Sequence, residues 1–455
     1  MQPARFASYD EAMNYLYALT NYERGFTYKP RTTPKLGLER ISKLLEFARN
    51  PERRLRAVHI AGTKGKGSTA TMVAAVLSHA GNKTGLFVSP HVEDVRERIQ
   101  IDGRWVPEES VVAQMNRLHS YLQRCEAKED GIYKPTFFEV FTAIAFMEFE
   151  SEGVDFAVAE VGMGGRLDTT NVLDPLVCAI TPVSMDHMER LGNTLAAIAG
   201  EKAGIIKRGV PVVCGPQEPE ALGVIREKCT EMDAPLYVCG ADFAARRDAD
   251  GTFSVGTWNG SVDRLRLAMP GEHQLANAAV AVGILTLLRE RGHASLADEQ
   301  IRGGLAAAFC PARVELVRRR PLTVIDSAHN PASFRALLSA LRSTFRFNRL
   351  VCVFAVAQDK DVDAILRLLA ADASHIVFTQ MNNPRACSLD TLAAKAERLG
   401  YTDYTAEGDL ATALRRAEQL AGAHDLICIC GSFYLAGDAR KLLKDAAART
   451  DEQRT

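Results

Sequence analysis

Residues 58 to 70 read VHIAGTKGKGSTA, and no other segment restricts the fold of this chain as much. Val58 to Ala61 suit the end of a buried strand. Gly62, Gly65 and Gly67, with Thr63 among them, let the backbone bend sharply and turn its N–H groups toward an anion. A helix beginning near Ser68 adds the positive end of its dipole. Lys66 is placed to reach β- and γ-phosphates, and a hydroxyl from Ser68 or Thr69 to meet phosphate or a divalent cation. The strict spelling, Gly, four residues, then Gly-Lys-Ser/Thr, is not met, because Gly67 stands between Lys66 and Ser68. A solvated glycine loop is the plainer alternative, and the flanking strand and helix argue against it.

The rest of the chain continues the alternation that such a unit requires. Strand-like runs follow at Thr84 to Val88, Asp155 to Val161 and Leu176 to Thr181, with helical stretches between them, including the aromatic PTFFEVFTAIAFMEFE from Pro135. Strands alternating with helices imply a parallel sheet with right-handed crossovers. Residues 236 to 269 change character and read as a small antiparallel insertion, with turns at Asp250-Gly251 and Asn259-Gly260. After a helix near 297 to 308, Cys310-Pro311 marks a boundary. Beyond it LTVIDS, LVCVFAV, HIVFTQ and DLICICG read as four strands of a second, smaller α/β domain. The expectation is α/β throughout, a P-loop-type ATPase domain over 1–310 and a Rossmann-like domain over 311–455. Residues 25 to 34 interrupt an otherwise helical N-terminal region, and the polar tail from Asp445 is expected to fray.

Composition excludes several classes. A formal net charge of −1 over 455 residues argues against a broad nucleic-acid footprint. No apolar run approaches the roughly 18 residues of a membrane span. The ten cysteines form no paired CxxC clusters, and Cys428 and Cys430 sit in an apolar run. Buried thiols in a reducing cytoplasm are expected.

Two further segments carry chemistry. In AEVGMGGRLDTTN, Glu160 ends a strand and glycines follow at once, so its carboxylate faces the crevice at the strand ends, where a hard oxygen suits Mg²⁺. In TPVSMDHMERLGNTLAAIAGEKAGIIKRG, Asp186-His187 follows another strand, and Lys202 lies among Ala199, Gly200, Ala203 and Gly204. Such small neighbours suggest close approach to another backbone, although a surface lysine is the simpler reading from these residues alone.

The ordered set AGTxGKGS, SPH, ERI, AEVGMGGRLDTTN, DHxxxLG, EKAGI, HQxxNA, PARxE, DSAHNP, DKD, PR and GSFYLAG spans about residues 36 to 437. It resembles the folylpolyglutamate synthase/dihydrofolate synthase family of the Mur ligase superfamily. The resemblance implies an ATP- and Mg²⁺-dependent amide ligase that joins L-glutamate to dihydropteroate or a reduced folate through an acyl phosphate. It implies that Lys202 is carbamylated and, with Ser89, Glu160 and His187, holds metal. Gly65 to Ser68 would hold the phosphates, with Gly62 and Thr63 also at the nucleotide, and Asn277, Arg313 and Asp326 would complete an ATP site between the domains. His329 and Ser432 would approach the acyl phosphate or the incoming glutamate. The pterin-bearing substrate would meet Leu36, Gly37, Leu38 and Glu39, then Thr136, Phe137, Phe138 and Glu139, then Leu167, Asp168 and Thr169. One of Phe137 and Phe138 must pack in the core, since adjacent helix positions face different ways.

The sequence departs from the family at two places. Lys64 replaces the usual asparagine and adds charge beside the phosphates. Ser327 replaces a glycine and is expected to strain a tight turn. A monomeric cytoplasmic enzyme is expected, with no nucleic-acid or membrane partner. Another Mur-type ligase, a P-loop hydrolase or switch, and a nucleotide-free binding module are the competing readings.

Overall fold

The computed structural model describes residues 5–21, 37–127, 134–186 and 188–452. The interrupted stretch 25–34, Leu36 and His187 therefore lie outside the described residues. The chain divides into two compact units. One comprises Met1–Ser89, Arg96–Ala268 and Gln274–Phe309, and the other Pro90–Val95, Met269–His273 and Cys310–Thr455.

The first unit is built on eight strands: β1 (Ala57–Ala61), β2 (Thr84–Phe87), β3 (Ile99–Ile101), β4 (Arg104–Trp105), β5 (Phe156–Glu160), β6 (Pro175–Ile180), β7 (Val212–Cys214) and β8 (Leu236–Val238). Their order is β4-β3-β2-β5-β1-β6-β7-β8. The centre is parallel, and β3 and β4 add an antiparallel edge. Every residue of β1 and β5 is buried, as expected of strands covered on both faces. From β1 the chain crosses to β2, returns to β5 in the gap between them, then continues to β6 on the far side of β1. The connections reverse direction here, so the loops after β1 and β5 leave neighbouring strand ends and enclose a crevice.

The helix after β1 begins at Lys66, two residues earlier than expected, with Gly65 in a left-handed conformation at its cap (φ 87°). The helix Phe137–Ser151 is buried nearly all round, and Thr136 and Glu139 close a capping box at its start. Phe137 packs inward between Tyr17 and Phe141, with ring centroids 5.8 and 5.6 Å away.

The antiparallel insertion is smaller than expected. Leu236–Val238 joins the main sheet as β8, parallel to β7. Only β9 (Ala244–Arg247), β10 (Phe253–Thr257) and β11 (Gly260–Leu265) form the separate antiparallel sheet.

The second unit holds six strands: β12 (Glu315–Arg319), β13 (Leu322–Ile325), β14 (Leu350–Phe354), β15 (His375–Thr379), β16 (Tyr404–Glu407) and β17 (Leu426–Cys430). Their order is β12-β13-β17-β14-β15-β16, parallel except for β12. Alternate residues feed two cores. Cys352, Phe354, Cys428 and Cys430 face one side, and Val351, Val353, Ile427 and Ile429 the other. None of the ten cysteines is in a disulfide. The last helix, Phe433–Glu452, runs past Asp445. Among the described residues no helix is long and apolar enough to cross a membrane.

Candidate active site

The turn after β1 is held by close backbone approach. A Cβ on Gly62 would lie 1.8 Å from Thr181 Oγ1, and one on Gly65 would lie 2.1 Å from Asn277 Oδ1. The amides of Thr63 and Lys64 both donate to Pro182 O, at 3.0 and 3.2 Å. No side chain larger than hydrogen fits either glycine position, so the loop's shape follows directly from its spelling.

Charged groups of opposite sign meet at this loop. Lys66 Nζ lies 3.8 Å from Glu160 Oε1, and both side chains are nearly buried. Glu160 Oε2 accepts the Ser89 amide at 3.0 Å. The ends of β2, β5 and β1 thus bring Ser89, Glu160 and Lys66 together, as expected. Lys64 pairs with Asp186 at 3.3 Å, so the extra lysine carries its own counter-ion.

Lys202 is buried. Its amine donates to Gly62 O at 2.8 Å. Burial, with Lys66 adding repulsion, pushes its pKa down to about 7. The close approach read from its small neighbours is therefore present, and a solvated surface lysine is excluded. Lys66 and Lys202 line one small cavity with Gly62, Thr63, Gly162 and Asp186. Among the described residues no three His, Cys, Asp or Glu side chains gather to hold an ion.

Among the residues expected to meet the acceptor, the two phenylalanines separate. Phe137 is buried in the core, whereas Phe138 is partly exposed. Phe138 packs against Phe87 at 5.8 Å and backs onto Gly162, where a Cβ would meet its ring at 2.5 Å. Glu139 is already occupied. Its carboxylate accepts the Thr136 amide at 2.7 Å and Arg40 Nε at 3.0 and 3.1 Å. Glu139 and Thr136 thus build the helix start that presents Phe138, and Arg40 ties the helix Glu39–Phe47 to it. Gly37 and Leu38 lead into that helix, and Glu39 forms an exposed pair with Lys43. Leu167 is exposed. Thr169 Oγ1 lies 2.7 Å from Thr142 Oγ1, which donates to Phe138 O at 2.7 Å. Asp168 is buried, and burial raises its pKa against several hydrogen bonds.

The remaining predicted residues cluster within the second unit. Asp326, at the end of β13, accepts the amides of Val314 at 2.8 Å and Ala328 at 2.7 Å. Burial raises its pKa, with Arg313 opposing. Arg313 donates to Ser327 Oγ and lies 5.0 Å over the Phe433 ring. Ala312 and Val314, on either side of it, both have left-handed backbone (φ 53° and 50°). Ser327 does not adopt a positive φ, so the expected strain there is absent; its hydroxyl also donates to Ala312 O at 3.2 Å. His329 Nδ1 donates to Ser327 O at 2.9 Å. Ser432 caps the last helix by accepting the Leu435 amide at 2.9 Å.

One neighbour was missed. Gln274 donates to Ser68 Oγ at 3.4 Å and accepts from Asn277 Nδ2 at 2.9 Å. The i, i+3 spacing within HQLANA was the available signal.

The comparisons with known proteins agree with this geometry. The Mur ligase middle domain family matches residues 60–285, and the Mur ligase glutamate ligase domain family matches residues 312–433. A dihydrofolate synthase/folylpolyglutamate synthase of Bacillus subtilis is 34% identical over 444 residues, covering 96% of this chain and 100% of its own. A Mycobacterium tuberculosis folylpolyglutamate synthase solved with ADP and AMPPCP is 37% identical, with a TM-score of 0.82 over 90% of this chain and 95% of its own. The E. coli FolC structure with DHPP and ADP is 28% identical, with a TM-score of 0.85 over 98% of this chain and 100% of its own. This chain belongs to the folylpolyglutamate synthase/dihydrofolate synthase family of Mur-type ATP-dependent ligases.

Proposed function

We propose that this enzyme joins L-glutamate to the carboxylate of dihydropteroate, of a reduced folate, or of both, at the expense of ATP. The observation that carries the reading is the convergence of Lys66 and Lys202 on one glycine-walled cavity beside Glu160. The acceptor carboxylate attacks the γ-phosphorus and ADP leaves. The glutamate amine then attacks the acyl phosphate, loses a proton and expels inorganic phosphate, leaving an amide. The protein's work is positioning and charge stabilisation. Lys66 and the turn amides hold the phosphates, with Asn277 beside them, and Arg313 and Asp326 are proposed nucleotide-binding residues. His329 and Ser432 are proposed on the glutamate side.

The donor set suits Mg²⁺, because Glu160 and Ser89 offer hard oxygens beside the phosphate loop. His187 is the third proposed ligand, and a carbamate on Lys202 would supply further oxygens. Bound there, the ion would contribute charge neutralisation at the triphosphate. The buried, easily neutralised amine of Lys202 supports the carbamate, since only the neutral amine adds CO₂. A monomer acting in the cytoplasm is proposed with it.

The test is phosphate release from ATP with Mg²⁺ and L-glutamate, comparing dihydropteroate with a reduced folate, with product masses read alongside. Release with both, and products heavier by glutamyl residues, is expected of a bifunctional enzyme. Release with one alone assigns a single activity. No glutamate-dependent release with either acceptor overturns the reading.

The two phenylalanines supply a separate prediction. Phe137→Ala is expected to lose about 3–5 kcal/mol of stability in thermal or denaturant unfolding. Phe138→Ala should melt close to wild type and raise the acceptor KM about five-fold, the worth of one aromatic stacking contact. Equal losses of stability in both variants would remove Phe138 from the acceptor site.

A further inference from the structure

His59 lies in the middle of β1, fully buried, in a run otherwise apolar. Burial, with Lys207 adding repulsion, pushes its pKa down to about 3, so the ring is neutral. Its Nε2 is 2.8 Å from Thr170 Oγ1. The Thr170 hydroxyl donates to Asp168 Oδ1 at 2.5 Å, and the Thr170 amide donates to the same oxygen at 3.0 Å. Asp168 Oδ2 accepts the Met163 amide at 2.9 Å. The hydrogen-bond inventory then fixes the direction of the chain. Thr170 spends its only hydroxyl proton on the carboxylate, so its oxygen accepts from His59, and His59 carries its proton on Nε2. Nδ1 is left as a buried acceptor without a partner. A buried ring that leaves one nitrogen unsatisfied is costly, and it is tolerated here together with a polar path leading toward the crevice.

That path ends on the acceptor side. Met163 belongs to the turn whose Gly162 backs onto Phe138. The next hydroxyl along, Thr169, is joined through Thr142 to the carbonyl of Phe138. Thr170 and Thr169 therefore anchor one turn in two directions, to β1 and to the aromatic helix, while Leu167 stays exposed between them and the glycines.

We propose that His59 is a positioning residue for acceptor binding: through Thr170 it fixes the Asp168 carboxylate, and with it the Met163 amide, so that the 162–170 turn is held against Phe138 before substrate arrives. This rests on the reading of that turn as part of the acceptor site. Preorganisation of this kind is felt in binding, because an unfixed wall must be ordered when the ligand docks.

The test uses the full-length enzyme and four relay variants, with Asp168→Asn as reference. Thr170→Val removes the hydroxyl at nearly constant shape, and Thr170→Ser restores it. His59→Leu removes the donor, and His59→Gln offers an N–H at a similar reach. Thr170→Val and His59→Leu are expected to raise the KM for dihydropteroate about ten-fold, the usual worth of one lost buried hydrogen bond. Turnover should stay within about two-fold, and ADP affinity by calorimetry should be unchanged. Thr170→Ser and His59→Gln should recover most of the loss. Thr170→Val covers the case in which His59→Leu does not fold. If Thr170→Val keeps the wild-type acceptor KM while Asp168→Asn raises it, the relay is overturned and the acceptor reading of the turn stands. If neither variant changes the KM, both fail. A parallel fall in turnover, nucleotide affinity and melting temperature, without recovery by Thr170→Ser, would show a structural role only and overturn the proposal.

Discussion

Lys66→Ala is expected to lower glutamate-dependent turnover by about two to three orders of magnitude, comparable to removing one preorganised stabiliser of developing charge. The residue opens the helix at the phosphate turn and is nearly buried beside Glu160. In its proposed role, charge that accumulates on a transferring phosphoryl group would be met there by a cation already nearly buried. A second effect adds to the first. Without the ammonium, the buried Glu160 carboxylate loses an attractive charge 3.8 Å away. Steady-state kinetics at saturating and limiting ATP, with a melting curve to show that the fold survives, measures the effect. Wild-type turnover in a folded Lys66→Ala enzyme would remove the phosphate-site assignment.

Lys202→Ala should cost most of the activity, on the order of a hundred-fold, while the fold persists. An alanine leaves room beside Gly62 O that a small carboxylic acid can enter. Partial recovery with acetate or a similar acid would support a carbamate at this position, because the additive replaces the carboxylate and not the amine. The pH dependence follows from the chemistry. The amine adds CO₂ only when neutral and releases a proton as the carbamate forms. With a pKa held near 7 by burial, the reactive form becomes the majority as pH rises through that value. Intact mass under native conditions at pH 6 and pH 8 should therefore show more of the CO₂ adduct at pH 8. Full activity of Lys202→Ala without any additive would remove the carbamate.

The turn after β1 was legible in the sequence because it is written in backbone terms. Glycines at fixed places and one lysine specify a shape whatever packs around it. The split between Phe137 and Phe138 was legible from helix geometry, although which ring stayed near the surface was not. Glu139 has a capping role that the sequence also signalled, since Thr136-Phe-Phe-Glu139 is the Ser/Thr-x-x-Glu pattern of a capping box. Strands β12 and β16 were missed because edge strands carry charge and break the apolar run, as ELVRR and YTAE do. His59 gave no sign of its contact with Thr170, which lies more than a hundred residues along the chain and comes beside β1 only through the pairing of β1 with β5 and β6.

The left-handed residues around Arg313 bear on how this enzyme would change under selection. An alanine or valine in that conformation costs on the order of 1 kcal/mol or more, and the β-branched side chain is the worse fit. Glycine would remove that cost, but Ala312 and Val314 are both buried in the cores of this unit, so it would also empty packed space, at 314 more expensively than the strain it relieves. It would also loosen the stretch that aims Arg313. Packing thus keeps the strained letters on both sides of Arg313 in place, and stability and loop shape are bound together at these two positions.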